Sequence, residues 1–266
     1  MTSPAERLQD PVGWHRAEST FYDADIPLWI DFTAGGETAV LDLGCGVGRV
    51  ADELAAAGRI VVGLDNDTGL VAEFNRSVEG GVAIGVEGDV LEMKGQAGPL
   101  GSKTFDRIIA PQNLVQVIGD SSARQKLLAG IRSRLSPGGL VGMTFIEDMP
   151  EESLEPAPQH EVYEDDGWTW SSTVIKVRAR YGSITLDRIR KLTGPDGESA
   201  SVDYEIIFAR MDRERFAGEI TKSGLELVRF DAVPTSPDYV DSVFVEMRLP
   251  DDPISTPGPF PVSPPE

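Results

Sequence analysis

The stretch AVLDLGCGVGRV, residues 39–50, constrains this chain more than any other: an apolar run breaks into glycines at 44, 46 and 48 and resumes as an amphipathic helical pattern. Each glycine costs backbone entropy that alanine would not. Three in five positions mark a strand-to-helix turn whose backbone bends tightly and lets a ligand approach with no Cβ in the way. RIVVGLD, VAIGVEGDV, FDRIIA and GGLVGMTF read as further short strands. VGRVADELAAAG, TGLVAEFNRSV and SSARQKLLAGIRSRLSPGG supply the helices, the last stopping at Pro137-Gly138-Gly139. Such alternation describes parallel βαβ units. The expected fold is α/β, a doubly wound, seven-stranded, mostly parallel sheet with sites at the carboxyl ends of its strands.

After residue 146 the texture changes. EDMPEESLEPAPQHEVYEDD carries nine acidic residues, three prolines and no Lys or Arg, which predicts a solvated acidic loop over 147–166 or a lid over a site. WTWSSTVIKVRARYGSITLDRIRKL and SVDYEIIFARM alternate in period two around GPDG, the pattern of an antiparallel β meander inserted after strand 5. MDRERFAGEITKSG restores a helix, and LELVRFDAV and YVDSVFVEMRL the last two strands. The expected organisation is an N-terminal helical lid over 1–38, a core over 39–146 and 210–249, an acidic loop plus insertion over 147–209, and a Pro-rich, disordered tail over 250–266.

Charge narrows the partners. A formal net charge of −20 in 266 residues repels phosphate backbones and anionic bilayers, so neither nucleic acid nor membrane is expected. The N-terminus has no apolar core of signal-peptide length and no run of eighteen apolar residues exists, which predicts a cytoplasmic protein. Cys45 is the only cysteine and His15 and His160 the only histidines, leaving no disulfide, no zinc cluster and no expected metal.

The dinucleotide fingerprint G-x-G-x-x-G requires a third glycine at 49, where Arg49 stands, and this speaks against a nicotinamide oxidoreductase. LDLGCGVG instead resembles the first motif of class I S-adenosylmethionine-dependent methyltransferases of the small-molecule type, with Asp42 two residues before the turn. The resemblance implies further positions. Asp65, ending RIVVGLD, would accept from both ribose hydroxyls; Asn66 would approach the adenine; Asp89 and the N–H of Val90 would hold the adenine edge. Gly44, Cys45 and Gly46 would lie under the methionine portion, with Tyr22 and Pro111 nearby. LSPGG before the fifth strand is a further hallmark. Residue by residue, Asp65 is equally read as a helix cap, Asp89 as a turn residue and Cys45 as a small packing residue.

The resemblance also implies a methyl transfer in which the enzyme places a nucleophile in line with a sulfonium methyl. Orientation supplies much of that barrier reduction, so no dedicated base is obligatory. His15, in an amphipathic lead-in, and His160, in the acidic loop, are candidates for a base toward an alcohol. APQNLVQVIGD lacks the N-P-P-Y type signature of adenine and glutamine methylation, and offers Asn113 and Gln116 as acceptor contacts; Asn113 reads equally as a helix cap. The insertion resembles those of glycine and amino-sugar N-methyltransferases, which wall the acceptor pocket and form homodimers. Its aromatic residues Tyr163, Trp168, Trp170, Tyr181 and Tyr204 are candidates for the pocket wall, Trp168 and Trp170 first. The acceptor atom, N or O, stays open, and a non-catalytic cofactor-binding scaffold is the alternative.

Overall fold

The computed structural model describes residues 3–19, 21–36, 39–77, 82–95, 98–149, 160–233 and 240–250. Three helices lead in, α1 (Pro4–Arg7), α2 (Pro11–Ser19) and α3 (Ile26–Phe32). The alternating segment follows as β1 (Val40–Leu43), α4 (Arg49–Ala56), β2 (Val61–Asp65), α5 (Thr68–Ser77), β3 (Ala83–Glu87), β4 (Phe105–Ala110), α6 (Leu114–Val117), α7 (Ser121–Arg134) and β5 (Leu135–Phe145). The insertion is β6 (His160–Asp165), β7 (Trp168–Arg180), β8 (Ser183–Thr193) and β9 (Ser199–Ala209), and the chain closes with α8 (Arg213–Lys222), β10 (Glu226–Ala232) and β11 (Val243–Arg248).

One sheet runs β10-β11-β5-β4-β1-β2-β3. Its first five strands pair in parallel, and β11 lies antiparallel between β5 and β10. The order reverses between β1 and β4, so the crevice beyond their carboxyl ends is the place where such a sheet binds ligands. Alternation sorts the strand side chains onto two cores. Leu41, Leu43, Leu64 and Ile108 face α7 and α8 through Leu127, Ile131, Phe216 and Ile220. Val40, Val61 and Ile109 face α3, α4 and α5 through Trp29, Leu54 and Phe74. Helices on both faces explain why β1 is buried at all four positions.

The start of β5 departs from expectation. The helix ends at Arg134, before the predicted stop at Pro137-Gly138-Gly139, and LSPGG lies inside β5 as an irregularity in its pairing with β4. Gly138 takes a positive φ of 75° there, which lets the ladder absorb the extra residues.

The insertion is a separate antiparallel sheet, β6-β7-β8-β9. The loop expected through 166 is corrected at 160–165, which form β6 against β7. Asp166-Gly167 makes the two-residue turn between them, both at positive φ (47° and 76°), and such Asp-Gly pairs are the strongest short hairpin signal. The remaining part of that loop at 150–159, and the tail from 251, lie outside the described residues. Among the described residues no helix is long and apolar enough to cross a membrane.

The aromatic residues of the insertion take different places. Trp168 and Trp170 are buried with Trp14, Ala17 and Leu192 under the N-terminal helices, and Trp168 borders a cavity of about 470 Å³ with Arg7, Asp10 and Pro195. Period two puts both indoles on one face of β7, with Ser172 next along it, and α2 covers that face. Gly13 permits the approach, since a Cβ there would lie 2.1 Å from Trp170 Nε1. Tyr181 is exposed at a turn on the rim of a cavity with Ile146 and Arg210, and Tyr204 lies beneath the Arg190 guanidinium. Ionic contacts fasten the same surfaces: Glu18 of α2 accepts from Ser172 Oγ (2.6 Å) and from both forks of Arg190 (2.8 and 2.5 Å), while Arg188 pairs with Glu161.

Candidate active site

The glycine turn lies against the end of β2. Gly44 N and Cys45 N both donate to the Leu64 carbonyl (2.8 and 3.3 Å), and Gly44 and Gly46 take positive φ values of 68° and 54°. Space as well as φ demands glycine here. A Cβ on Gly44 would press within 3.1 Å of Leu114, and one on Gly46 would lie 2.0 Å from His15 Nε2.

Arg49, where the dinucleotide pattern requires glycine, is a clamp. Its guanidinium forks onto Asp25 (2.6 and 2.9 Å) and donates to the Tyr22 carbonyl (2.6 Å). Trp29 Nε1 completes the shell of Asp25 (2.8 Å), which is 1 % exposed. Tyr22, expected at the methionine end, thus sits by the turn with its ring under Arg49. The lead-in is bound to the turn by one buried, bidentate pair, and removing either member would strand the other charge.

Three acids stand at successive strand ends. Asp65 Oδ2 accepts from Gly46 N and Oδ1 from Asp67 N, each at 3.0 Å. Capping of α5 falls to Asp67, which accepts from Gly69 N and Leu70 N, so Asp65 is not a helix cap. Asn66 beside it is exposed. Asp89 Oδ1 accepts from Leu91 N (2.8 Å) and caps a short 3₁₀ turn, and Val90 is buried. Gly88 N donates to the Asp65 carbonyl (2.8 Å), tying these two strand ends together. Asp42 is buried and its Oδ1 has no hydrogen-bond partner. Burial pushes its carboxyl up to about 7; Arg49 opposes the rise, and Asp65 and Asp25 add to it. Burial, with Asp42 and Asp65, drives the Cys45 thiol well above its ordinary value. Cys45 is therefore a packing residue and no thiolate.

Beyond β4, Pro111 is buried and Gln112 and Asn113 both take left-handed conformations, φ 50° and 60°. Two consecutive non-glycine residues there are strained and persist only when their surroundings over-determine them. Three braces do so: Gln112 Nε2 donates to the Ser19 carbonyl (3.0 Å), Asn113 N to Thr144 Oγ1 (3.4 Å), and Leu114 packs on Gly44. Asn113 precedes α6 without a side-chain cap bond, which disposes of the capping reading. Its Oδ1 is buried with no partner.

Gln116 braces two strands and also borders a cavity with Ile146 and Tyr181. Its Nε2 donates to the Ile146 and Ala209 carbonyls (2.9 and 3.0 Å) and its Oε1 accepts from Ile146 N (2.7 Å), which engages both amide hydrogens and the oxygen in joining β5 to β9. His160 pairs with Thr173 through the β6 backbone. His15 rests on Gly46 with Nδ1 buried and unpartnered. Burial lowers its pKa, Asp65 and Glu18 oppose this, and Arg49 and Arg16 add to it, so the ring is neutral at neutral pH. The proximity of His15 to the turn and the Arg49–Asp25 clamp had no local sequence signal, because both are long-range contacts.

Among the described residues seven buried side-chain polar atoms lack a hydrogen-bond partner, and His15 Nδ1, Asp42 Oδ1 and Asn113 Oδ1 are three of them. All three lie on residues that flank or pack about the glycine turn. Buried polar groups are nearly always satisfied, so this convergence, over a glycine cradle that a Cβ would fill, fits a polar ligand carrying its own donors and acceptors. The set suits a nucleoside with an amino-acid arm.

Residues 40–139 match the model of a methyltransferase domain family. No curated protein matches the sequence. Solved structures share the fold at low identity. DesVI from Streptomyces venezuelae is 16 % identical, with 94 % of this chain and 100 % of that one covered at a TM-score of 0.67. The sugar N-methyltransferase KedS8 from Streptoalloteichus sp. is 14 % identical, with 89 % and 91 % covered at 0.66. CalS10 from Micromonospora echinaspora, an amino pentose methyltransferase solved with S-adenosylmethionine bound, is 17 % identical, with 93 % and 98 % covered at 0.63. Residues 40–139 thus match a methyltransferase domain, and the sheet into which they are set has the fold of these solved structures.

Proposed function

We propose that this chain is a class I S-adenosylmethionine-dependent methyltransferase and that it methylates an amine nitrogen of a small molecule. The observation that carries the reading is Asn113, whose buried carboxamide oxygen has no partner and whose strained backbone is braced from three sides. A carboxamide accepts a hydrogen bond but does not take a proton at neutral pH. An alcohol needs a base as it attacks; an amine that has lost its ammonium proton to solvent attacks with its own lone pair. Asn113 orients an amine N–H, and the hydrogen bond strengthens as positive charge develops on nitrogen, which favours the transition state over the ground state.

The cofactor, when bound, supplies the electrophilic methyl on its sulfonium. In this reading Asp65 holds the ribose, Asp89 with Val90 the adenine edge, and Asp42 and the Gly44–Gly46 turn the amino-acid arm. Beyond β5 a cavity of about 440 Å³, bounded by Ile146, Asp148, Tyr181, Arg210 and Arg215 among others, lies between core and insertion and suits a small acceptor. Two fold relatives carry names that speak of an amino pentose and of sugar N-methylation, which supports the amine over the hydroxyl. A homodimer through the insertion belongs to the same proposal: β9 is an edge strand with Val202, Tyr204 and Ile207 exposed. Sedimentation tests that part.

Mass spectrometry of products from matched amino and hydroxy compounds tests the acceptor. Methylated amines with untouched hydroxyl counterparts are expected, and the amine reading fails if only hydroxyls gain a methyl.

A further inference from the structure

His15 stands against the glycine turn of the proposed cofactor site. Its Nε2, Cε1 and Cδ2 would lie 2.0, 2.3 and 2.9 Å from a Cβ on Gly46, so the ring rests directly on the backbone face that glycine keeps bare. Gly46 N donates to Asp65, and a ligand that reaches that carboxylate across the glycine turn meets the imidazole. In this position its Nδ1 is buried without a hydrogen-bond partner. The helix that carries it is tied at both flanks. Arg16 pairs with Glu73 on α5 of the core, and Glu18 with Arg190 and Ser172 on the insertion sheet.

We infer that α2 is a self-closing cap whose His15 ring competes with the cofactor for the face of Gly46, so that binding requires the ring to swing out and the strap of ion pairs to yield. This inference rests on the proposed Asp65-lined site. Its consequence runs against the usual effect of deleting a side chain from a binding site. A ligand that binds only the open form has its affinity reduced by the fraction of molecules that are open, so weakening the cap tightens binding.

Calorimetric titration with S-adenosylhomocysteine, a stable probe that needs no turnover, tests this on the full chain. His15→Ala is expected to lower Kd by about threefold or more with a faster association rate in stopped-flow mixing. Arg16→Ala loosens the strap without touching the turn and leaves Glu73 paired with Arg76; it is expected to act in the same direction by less, and it carries the test if His15→Ala does not fold. Hydrogen exchange of the α2 amides is expected to change when the probe binds the wild type. Weaker binding by His15→Ala would make the histidine a direct cofactor contact and overturn the inference, and unchanged affinity in both variants would overturn it too. Affinity that is indifferent to Asp65→Ala would instead refute the site reading beneath it, whatever His15 does.

Discussion

The turn at the head of the large sheet and the small inserted sheet are both rich in charge, and they treat it in opposite ways. In the insertion, Arg178 bridges Asp187 and Glu205, Arg188 takes Glu161, and Arg190 takes Glu18. Most of these charges are matched within the protein and serve to hold sheet and lead-in together. At the turn, one matched pair, Arg49 with Asp25, fastens the scaffold, while Asp42 Oδ1, Asn113 Oδ1 and His15 Nδ1 are left without partners. The insertion leaves Trp170 Nε1 and Arg188 Nε without a hydrogen-bond partner as well, but its carboxylates Glu161, Asp187 and Glu205 are paired. At the turn it is acceptors, Asp42 Oδ1 and Asn113 Oδ1, that stand open to a ligand's donors.

That contrast is broken or sharpened by substitution, and the largest effect belongs to the clamp. Arg49→Met strands the Asp25 carboxylate in a buried site and is expected to cost roughly 3–5 kcal/mol, measured by denaturant unfolding. A loss under 1 kcal/mol would mean that the pair is not the fastening of the lead-in.

Asp42 sharpens the other side. Its folded pKa, about 7, is above its ordinary value, so the stability linked to its neutral form is fully present below the unfolded value and is lost as pH rises through 7. Asp42→Asn is therefore expected to be more stable than wild type at pH 8, by up to roughly 4 kcal/mol, with the difference closing toward pH 4. Paired denaturation curves at the two pH values check this, and a pH-independent difference would contradict the burial account.

Asp65→Ala removes a carboxylate that anchors the turn and, in the proposed site, the ribose. Cofactor affinity is expected to fall by about 1.5–3 kcal/mol, read by calorimetry. Asn113→Gly separates strain from function: relief of the left-handed backbone is expected to stabilise the fold by about 1 kcal/mol, while turnover of the amine drops. Greater stability with unchanged turnover would remove Asn113 from the acceptor site. The smallest effect is expected in the insertion, where Tyr181→Ser at an exposed turn should move stability by less than about 0.5 kcal/mol.

Much of the core was legible because its signals are local. Glycines at 44, 46 and 48, acids at the ends of β1 and β2 and just beyond β3, and the strand-helix rhythm all lie within short windows, where backbone geometry alone dictates residue type. The hairpin at Asp166-Gly167 was present in the sequence too, but the acidic run around it read as loop. Charge density reports solvation, whereas the Asp-Gly pair reports backbone φ, and the latter decided the structure. Trp168 and Trp170 show a different limit. Period two tells which side chains share a face; it does not tell whether that face meets a substrate or a helix. Gln116 is ambiguous in the same way, since a carboxamide bordering a cavity and one bracing two strands look identical in one dimension, and here it does both.

By itself the sequence determined the sheet, the turn and the acids beside it, because glycine conformations and strand alternation are properties of neighbouring residues. Only the tertiary structure decided what covers that turn. Arg49 meets Asp25 twenty-four residues away, His15 lies on Gly46, and α2 rather than a substrate buries the indoles. Such contacts are selected by shape and charge in three dimensions, and chain order carries no record of which distant surface will supply the match.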